Sequence, residues 1–83
     1  MMLWMDNIEP GTSDDDLRAF VRKYSRDVEC VHVRRLDGNG SRPAALLSFV
    51  GGNLESVPRL AVRLHGMYWH GRPLSCGAEH HLR

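Results

Sequence analysis

The stretch DVECVHVRRLDGNGSRPAALLSFV, Asp27 to Val50, contains two apolar runs on either side of the tetrapeptide DGNG. Asp, Asn and Gly tolerate the positive φ angles of tight turns, so this arrangement is typical of a β-hairpin. It predicts one strand near residues 28–35 and another near residues 44–50. In a chain of 83 residues the core must come from a few amphipathic elements packed together, and the flanking sequence supplies them.

The sequence before this hairpin predicts a strand and a helix. LWMDNI, residues 3–8, is a short apolar run followed by the turn formers of EPGTS, which is typical of an N-terminal strand. In SDDDLRAFVRKYS, Ser13 is expected to accept the backbone N–H of Asp16, and three acidic residues lie at the positive end of the helix dipole. Apolar residues then recur at helical spacing on one face: Leu17, Phe20, Val21 and Tyr24.

The sequence after the hairpin predicts a second helix and a last strand. LESVPRLAVRLHG, residues 54–66, has apolar residues at helical spacing and Pro58 in the first turn, and Gly66 is expected to end the helix. A tight turn at His70 and Gly71 then leads into a strand from about residue 73 to 78. The order is β-α-β-β-α-β, an α+β arrangement in which residues 1–83 form a single domain.

Composition narrows the class of protein. A hydrophobic content of 42% with 25% charged residues is ordinary for a globular chain. The formal net charge of +1 is far from the strongly basic balance of tight, nonspecific nucleic-acid binders, so any electrostatic attraction must be local. Cys30 and Cys76 show neither zinc-binding nor disulfide-framework spacing. With no apolar run of membrane-spanning length and no targeting segment, we expect a cytoplasmic protein.

Several sequence motifs resemble those of the RNA recognition motif (RRM) family over nearly the full chain. The β-α-β-β-α-β order is the split βαβ, ferredoxin-like plan. LWMDNI resembles the family's hexamer, DLRAFVRKYS its first helix, and RLHGMYWHGRPLSC the passage into its fourth strand. The family's octamer aligns with RPAALLSF, residues 42–49. Four octamer positions fit and three depart: Arg42, Ala45, Leu47 and Phe49 fit, whereas Pro43, Ala44 and Leu46 do not.

The resemblance implies a four-stranded antiparallel sheet of order 4-1-3-2, with both helices on one face and the other face open to RNA. Alternation along the strands then divides the side chains between the two faces. Toward the helices we expect Leu3, Met5, Val31, Val33, Ala45, Leu47, Phe49, Leu74 and Cys76. On the opposite face we expect Trp4, Asp6, His32, Arg34, Arg42, Ala44, Leu46, Ser48, Ser75 and Gly77.

The resemblance further implies weak binding of single-stranded RNA or DNA on that open face. RNA-binding members stack bases on one hexamer aromatic and two octamer aromatics. Trp4 matches the first, but Ala44 and Leu46 occupy the octamer positions. The tail AEHHLR could add contacts or cover Trp4. The predicted RNA-binding residues are Trp4, Asp6, His32, Arg34, Arg42, Ala44, Leu46, Ser48, His81 and Arg83. The alternative is a protein-interaction or self-association module that uses the aliphatic surface of Ala44 and Leu46.

Other functions find little support in the sequence. We find no nucleophile-base-orienter set, phosphate-binding glycine loop or metal triad, so we expect no enzymatic activity, cofactor or metal site. Trp69 is expected to pack against the body of the domain. One RRM subclass binds tryptophan-containing peptides through an Arg-x-Phe loop at this point, but Met67 stands where that arginine should be.

Overall fold

The computed structural model describes residues 1–36 and 43–79. The predicted DGNG turn, Arg42 and the tail with His81 and Arg83 therefore lie outside the described residues. Within the described ranges the chain forms two helices and six strands in an α+β arrangement. These are β1 (Met2–Asp6), α1 (Asp14–Tyr24), β2 (Val28–Leu36), β3 (Ala44–Gly51), α2 (Ser56–Leu64), β4 (Tyr68–Trp69), β5 (Arg72–Pro73) and β6 (Ser75–Glu79).

Four of the described strands form an antiparallel sheet in the order β2-β3-β1-β6. The predicted order 4-1-3-2 needs correction, because the edge strand beside β1 is the sixth strand in chain order and not the fourth. The cause is a two-stranded ribbon of β4 and β5, each two residues long, which the sequence did not predict. The predicted turn at its tip is present, with φ of 54° at His70 and 81° at Gly71.

The hydrophobic core lies between one face of the sheet and both helices. Leu3 and Met5 of β1 and Leu47 of β3 are completely inaccessible to solvent. By contrast, Trp4 between the first two, and Leu46 and Ser48 on either side of Leu47, are partly exposed. This alternation places one side of each strand in the core. The helices contribute their apolar faces to the same cluster. Its helical members are Leu17, Phe20, Val21, Val57, Leu60, Ala61 and Leu64.

The helix ends follow from local sequence. The Ser13 hydroxyl accepts the Asp16 backbone N–H at 3.0 Å as predicted, and the Asp16 carboxylate accepts the Ser13 N–H at 3.3 Å, which completes a capping box. Helix α2 ends at Leu64, and Gly66 follows with a φ of 82°, which favours glycine. Neither of the two helices in the described residues has the length and apolar character needed to cross a membrane.

One predicted core residue, Val31, lies at the surface. The register of β2 against β3 shifts there, since Cys30 pairs with Phe49 and His32 pairs with Ser48. Val31 is thus the extra residue of a β-bulge, and 51% of it is exposed. The bulge resets the alternation, so that Cys30 packs against the core, Val33 is buried and the expectation for Val31 is wrong.

Candidate nucleic-acid interface

The strand register aligns Trp4 with one residue on each neighbouring strand. Trp4 pairs with Leu46 of β3 and with Gly77 of β6, and Leu46 pairs with Arg34 of β2. Directly paired residues of antiparallel strands point to the same face of the sheet. A row of Arg34, Leu46, Trp4 and Gly77 therefore crosses all four strands on the face opposite the core.

A second row runs beside the first, because Met2 pairs with Ser48 and with Glu79, and Ser48 pairs with His32. Together these rows and the next positions along the strands form what we call the open face. Within the described residues, neither helix covers the open face. Its members are Met2, Trp4, Asp6, Glu29, His32, Arg34, Leu36, Ala44, Leu46, Ser48, Val50, Ser75, Gly77 and Glu79. The seven predicted RNA-binding residues that the structure describes are all among them.

The indole of Trp4 is partly exposed and lies apart from the core cluster. On its β6 side stands Gly77, and a Cβ atom placed there would meet no described atom within 4 Å. On its β3 side stands the aliphatic side chain of Leu46. Among the described residues, the glycine leaves room beside the indole for a flat group such as a nucleobase.

Charge on the open face is unevenly distributed. On the edge strand β2, Arg34 and His32 are exposed toward one end and Glu29, which pairs with Val50, is exposed at the other end. Glu79 is exposed on the opposite edge strand β6, and Asp6 lies on β1. With strands about 4.8 Å apart, Arg34 lies about 10 Å from Trp4 across the sheet. Because phosphate groups bind cations, the Arg34 end of β2 is the part of the open face that would accept a phosphate backbone.

Arg35 belongs to the helical side of the sheet, unlike its neighbour Arg34. It pairs with Ala45, a core residue, and its guanidinium donates to the Thr12 carbonyl at 3.1 Å and to the Asp14 carboxylate at 3.0 Å. These contacts link the end of β2 to the start of α1. Arg35 is therefore a structural residue, a role that its position in a predicted hairpin did not reveal.

Both thiols are free, and burial raises the pKa of each. For Cys76 the pKa rises to about 12, so its sulfur is a protonated thiol and a poor nucleophile at neutral pH. Cys30 and Cys76 lie on the opposite edge strands β2 and β6. Within residues 1–36 and 43–79, no three His, Cys, Asp or Glu side chains are grouped so that they could hold a metal ion.

Thr12, His70 and Glu9 form a polar cluster that the sequence did not indicate. The Thr12 hydroxyl lies 3.1 Å from Nδ1 of His70, and a Glu9 carboxylate oxygen lies 3.9 Å from the same nitrogen. A nucleophile and an orienting acid must contact different ring nitrogens of the histidine between them. This cluster therefore lacks the geometry of a catalytic triad and instead joins the β4–β5 turn to the loop before α1.

Comparison of the chain with protein-family models and with curated proteins finds no significant match.

Proposed function

We propose that this chain is a non-enzymatic, RRM-like domain of ferredoxin-like topology that binds single-stranded RNA, or single-stranded DNA, weakly on its open face. The observation that carries the proposal is the position of Trp4. Its partly exposed indole lies at the centre of a helix-free sheet face, between Leu46 and the small Gly77, in one row with the cation of Arg34.

Each of the seven described residues that were predicted to bind RNA has a chemical role in this proposal. Trp4 stacks on one base, and Leu46 and Ala44 offer apolar contact beside it. Arg34 pairs with a phosphate or stacks on a base, and His32 stacks or forms a hydrogen bond. Ser48 and Asp6 offer hydrogen-bonding groups to base edges.

Weak affinity follows from the number of rings. Each base stacked on an aromatic side chain contributes about 1–3 kcal/mol of binding free energy. Without rings at the two octamer positions, the binding free energy is therefore weaker by about 2–6 kcal/mol. That difference separates a micromolar binder from one nearer millimolar. We therefore expect dissociation that is fast on the NMR timescale.

The proposal is tested by titrating isotope-labelled protein with a pool of short random-sequence single-stranded RNA and following backbone amide shifts. We expect shifts clustered around Trp4, Leu46 and Arg34, which diminish as salt is raised. Replacing Arg34 by Gln should reduce the magnitude of the logarithmic salt slope by about 0.7, the value for one phosphate contact to a single strand.

The decisive variant is Trp4→Ala, which should weaken RNA binding about 5- to 150-fold. Its matched control is Tyr68→Ala, because Tyr68 is an aromatic residue that is 71% exposed but lies on β4, outside the open face. Unchanged affinity in a folded Trp4→Ala variant would refute the proposal. Equal weakening in both variants would show that the open face is not the site.

A second candidate function, protein interaction or self-association, has its own supporting observation. Met2, Ala44 and Leu46 give the open face partly exposed aliphatic surface around Trp4. Apolar association changes little with salt, whereas phosphate binding weakens steeply. A concentration-dependent dimer whose stability does not fall with salt, in a protein that gives no RNA shifts, would favour this second function.

A further inference from the structure

A groove of about 410 Å³ lies on the helical side of the molecule, between the end of α1 and the start of α2. Its volume is in the range of protein ligand sites. The partly exposed Val28 provides apolar surface in it, whereas Leu60, which is 4% exposed, contributes little. We call it the arginine groove after three of its lining residues, which are Arg26, Arg59 and Arg63.

The arginine groove is positively charged although the chain is nearly neutral. The charged residues that line it, three arginines and one aspartate, carry a formal charge of +2, which becomes +1 when Glu55, the ion-pair partner of Arg59, is included. The whole chain carries +1 spread over 83 residues. The aspartate, Asp27, accepts the Ser56 hydroxyl at 2.7 Å at one side of the groove. The cations are therefore concentrated where the two helices meet.

The arginines remain able to meet an incoming anion. The pair between Arg59 and Glu55, at 2.8 Å, joins side chains that are 80% and 71% exposed, and such surface pairs are weak and readily exchanged. Arg63 lies over the ring of Tyr24, 5.6 Å from its centroid, which leaves the edge of its guanidinium for hydrogen bonds. Arg26 lies on the exposed loop after α1.

The apolar surface of the groove suits a side chain better than a nucleobase. Its aromatic residue, Tyr24, is engaged on one face by Arg63 and contacts Phe20 edge-on at 5.4 Å. The remaining apolar lining side chains are Val28 and the largely buried Leu60. These branched aliphatic groups do not form the flat platform on which bases stack.

We propose that the arginine groove binds an acidic segment of a partner protein, with an apolar side chain of that segment against Val28 and flanking carboxylates on the arginines. Charge complementarity and the apolar surface between the cations support this occupant. Because the groove and the open face lie on opposite sides of the sheet, the domain can hold a nucleic acid and a protein at once.

The test uses a pool of synthetic peptides in which one leucine, isoleucine, phenylalanine or tryptophan is flanked on each side by aspartate or glutamate. In the control pool, asparagine and glutamine replace the acids. Titrated into labelled protein, the acidic pool should shift the amides of residues 24–28 and 59–63, and the neutral pool should not.

Charge reversal separates this proposal from the RNA proposal. Arg26→Glu, on the exposed loop, should weaken binding of the acidic pool about five- to thirty-fold and leave RNA binding unchanged. The matched control, Arg34→Glu, carries the same change of charge on the open face and should weaken RNA binding only.

Three results would overturn the proposal. The first is the absence of shifts in the arginine groove with acidic peptides at millimolar concentration. The second is equal binding of these peptides by the wild-type and Arg26→Glu proteins. The third is a shift of the groove amides by the RNA pool, which would assign the groove to nucleic acid.

Discussion

If a missing stacking ring limits RNA affinity, restoring one on the open face should strengthen binding. The position to change is Leu46, which is directly opposite Trp4 and adjacent to Arg34 in the same row. Directly opposite Cβ atoms in an antiparallel pair are about 4.5–5.5 Å apart. A phenylalanine introduced by Leu46→Phe would therefore stand beside the indole, with one ring face available to a base.

The expected gain follows from the energy of one stack. A base on an aromatic side chain contributes about 1–3 kcal/mol, which corresponds to an affinity increase of about 5- to 150-fold. Folding should be little affected, because Leu46 is only partly buried and the core is on the other side of β3. A cross-strand aromatic pair adds about 0.2–1 kcal/mol of stability.

The assay is fluorescence anisotropy with labelled single-stranded RNA at constant, low salt, comparing the wild-type, Leu46→Phe and Leu46→Ile proteins. The isoleucine variant retains an aliphatic side chain without a ring, and we expect it to bind like the wild type. A folded Leu46→Phe protein that binds no more tightly than Leu46→Ile would refute the argument that stacking limits affinity on this face.

Two further predictions concern stability and thiol chemistry. Leu47→Ala should lower the free energy of unfolding by about 2–5 kcal/mol because Leu47 is fully buried, whereas Leu46→Ala should lower it by less than about 1 kcal/mol. Urea denaturation measures both values, and similar losses in the two variants would contradict the assignment of faces. In a Cys30→Ala background, Cys76 should be alkylated at pH 8 about 100- to 1000-fold more slowly in the folded protein than in urea, because burial raises its pKa from 9.0 to about 12. A difference below tenfold, measured by mass spectrometry, would show that the thiol is not held in this environment.

Features that depend on residues close in sequence were predictable. The Ser13 cap of α1 needs only the backbone N–H of Asp16, three residues away. The alternation of Leu3, Trp4 and Met5 predicted which face of β1 is buried, because successive side chains of a strand point to opposite faces.

The bulge at Val31 was not predictable from the alternation of apolar residues. Val31 and Val33 are both apolar and two residues apart, so alternation alone places both in the core. Only the pairing of β2 with β3 decides which residue is extra. Alternation placed Arg34 on the open face, and its pairing with Leu46 puts it there. Only the structure shows the contacts of Arg35, which pairs with Ala45 and donates to the Asp14 carboxylate of α1.

The sequence by itself predicted both helices, the four strands of the main sheet, the order of these elements and the exposed side of β1. These features depend on local backbone preferences and on the period of apolar residues. The tertiary structure decided which residues became neighbours. The row through Trp4 joins four strands, and the arginine groove joins a loop residue, Arg26, to two residues of α2 more than thirty positions later. Such contacts depend on strand register and helix packing, which are set by the burial of one shared core and not by any single segment.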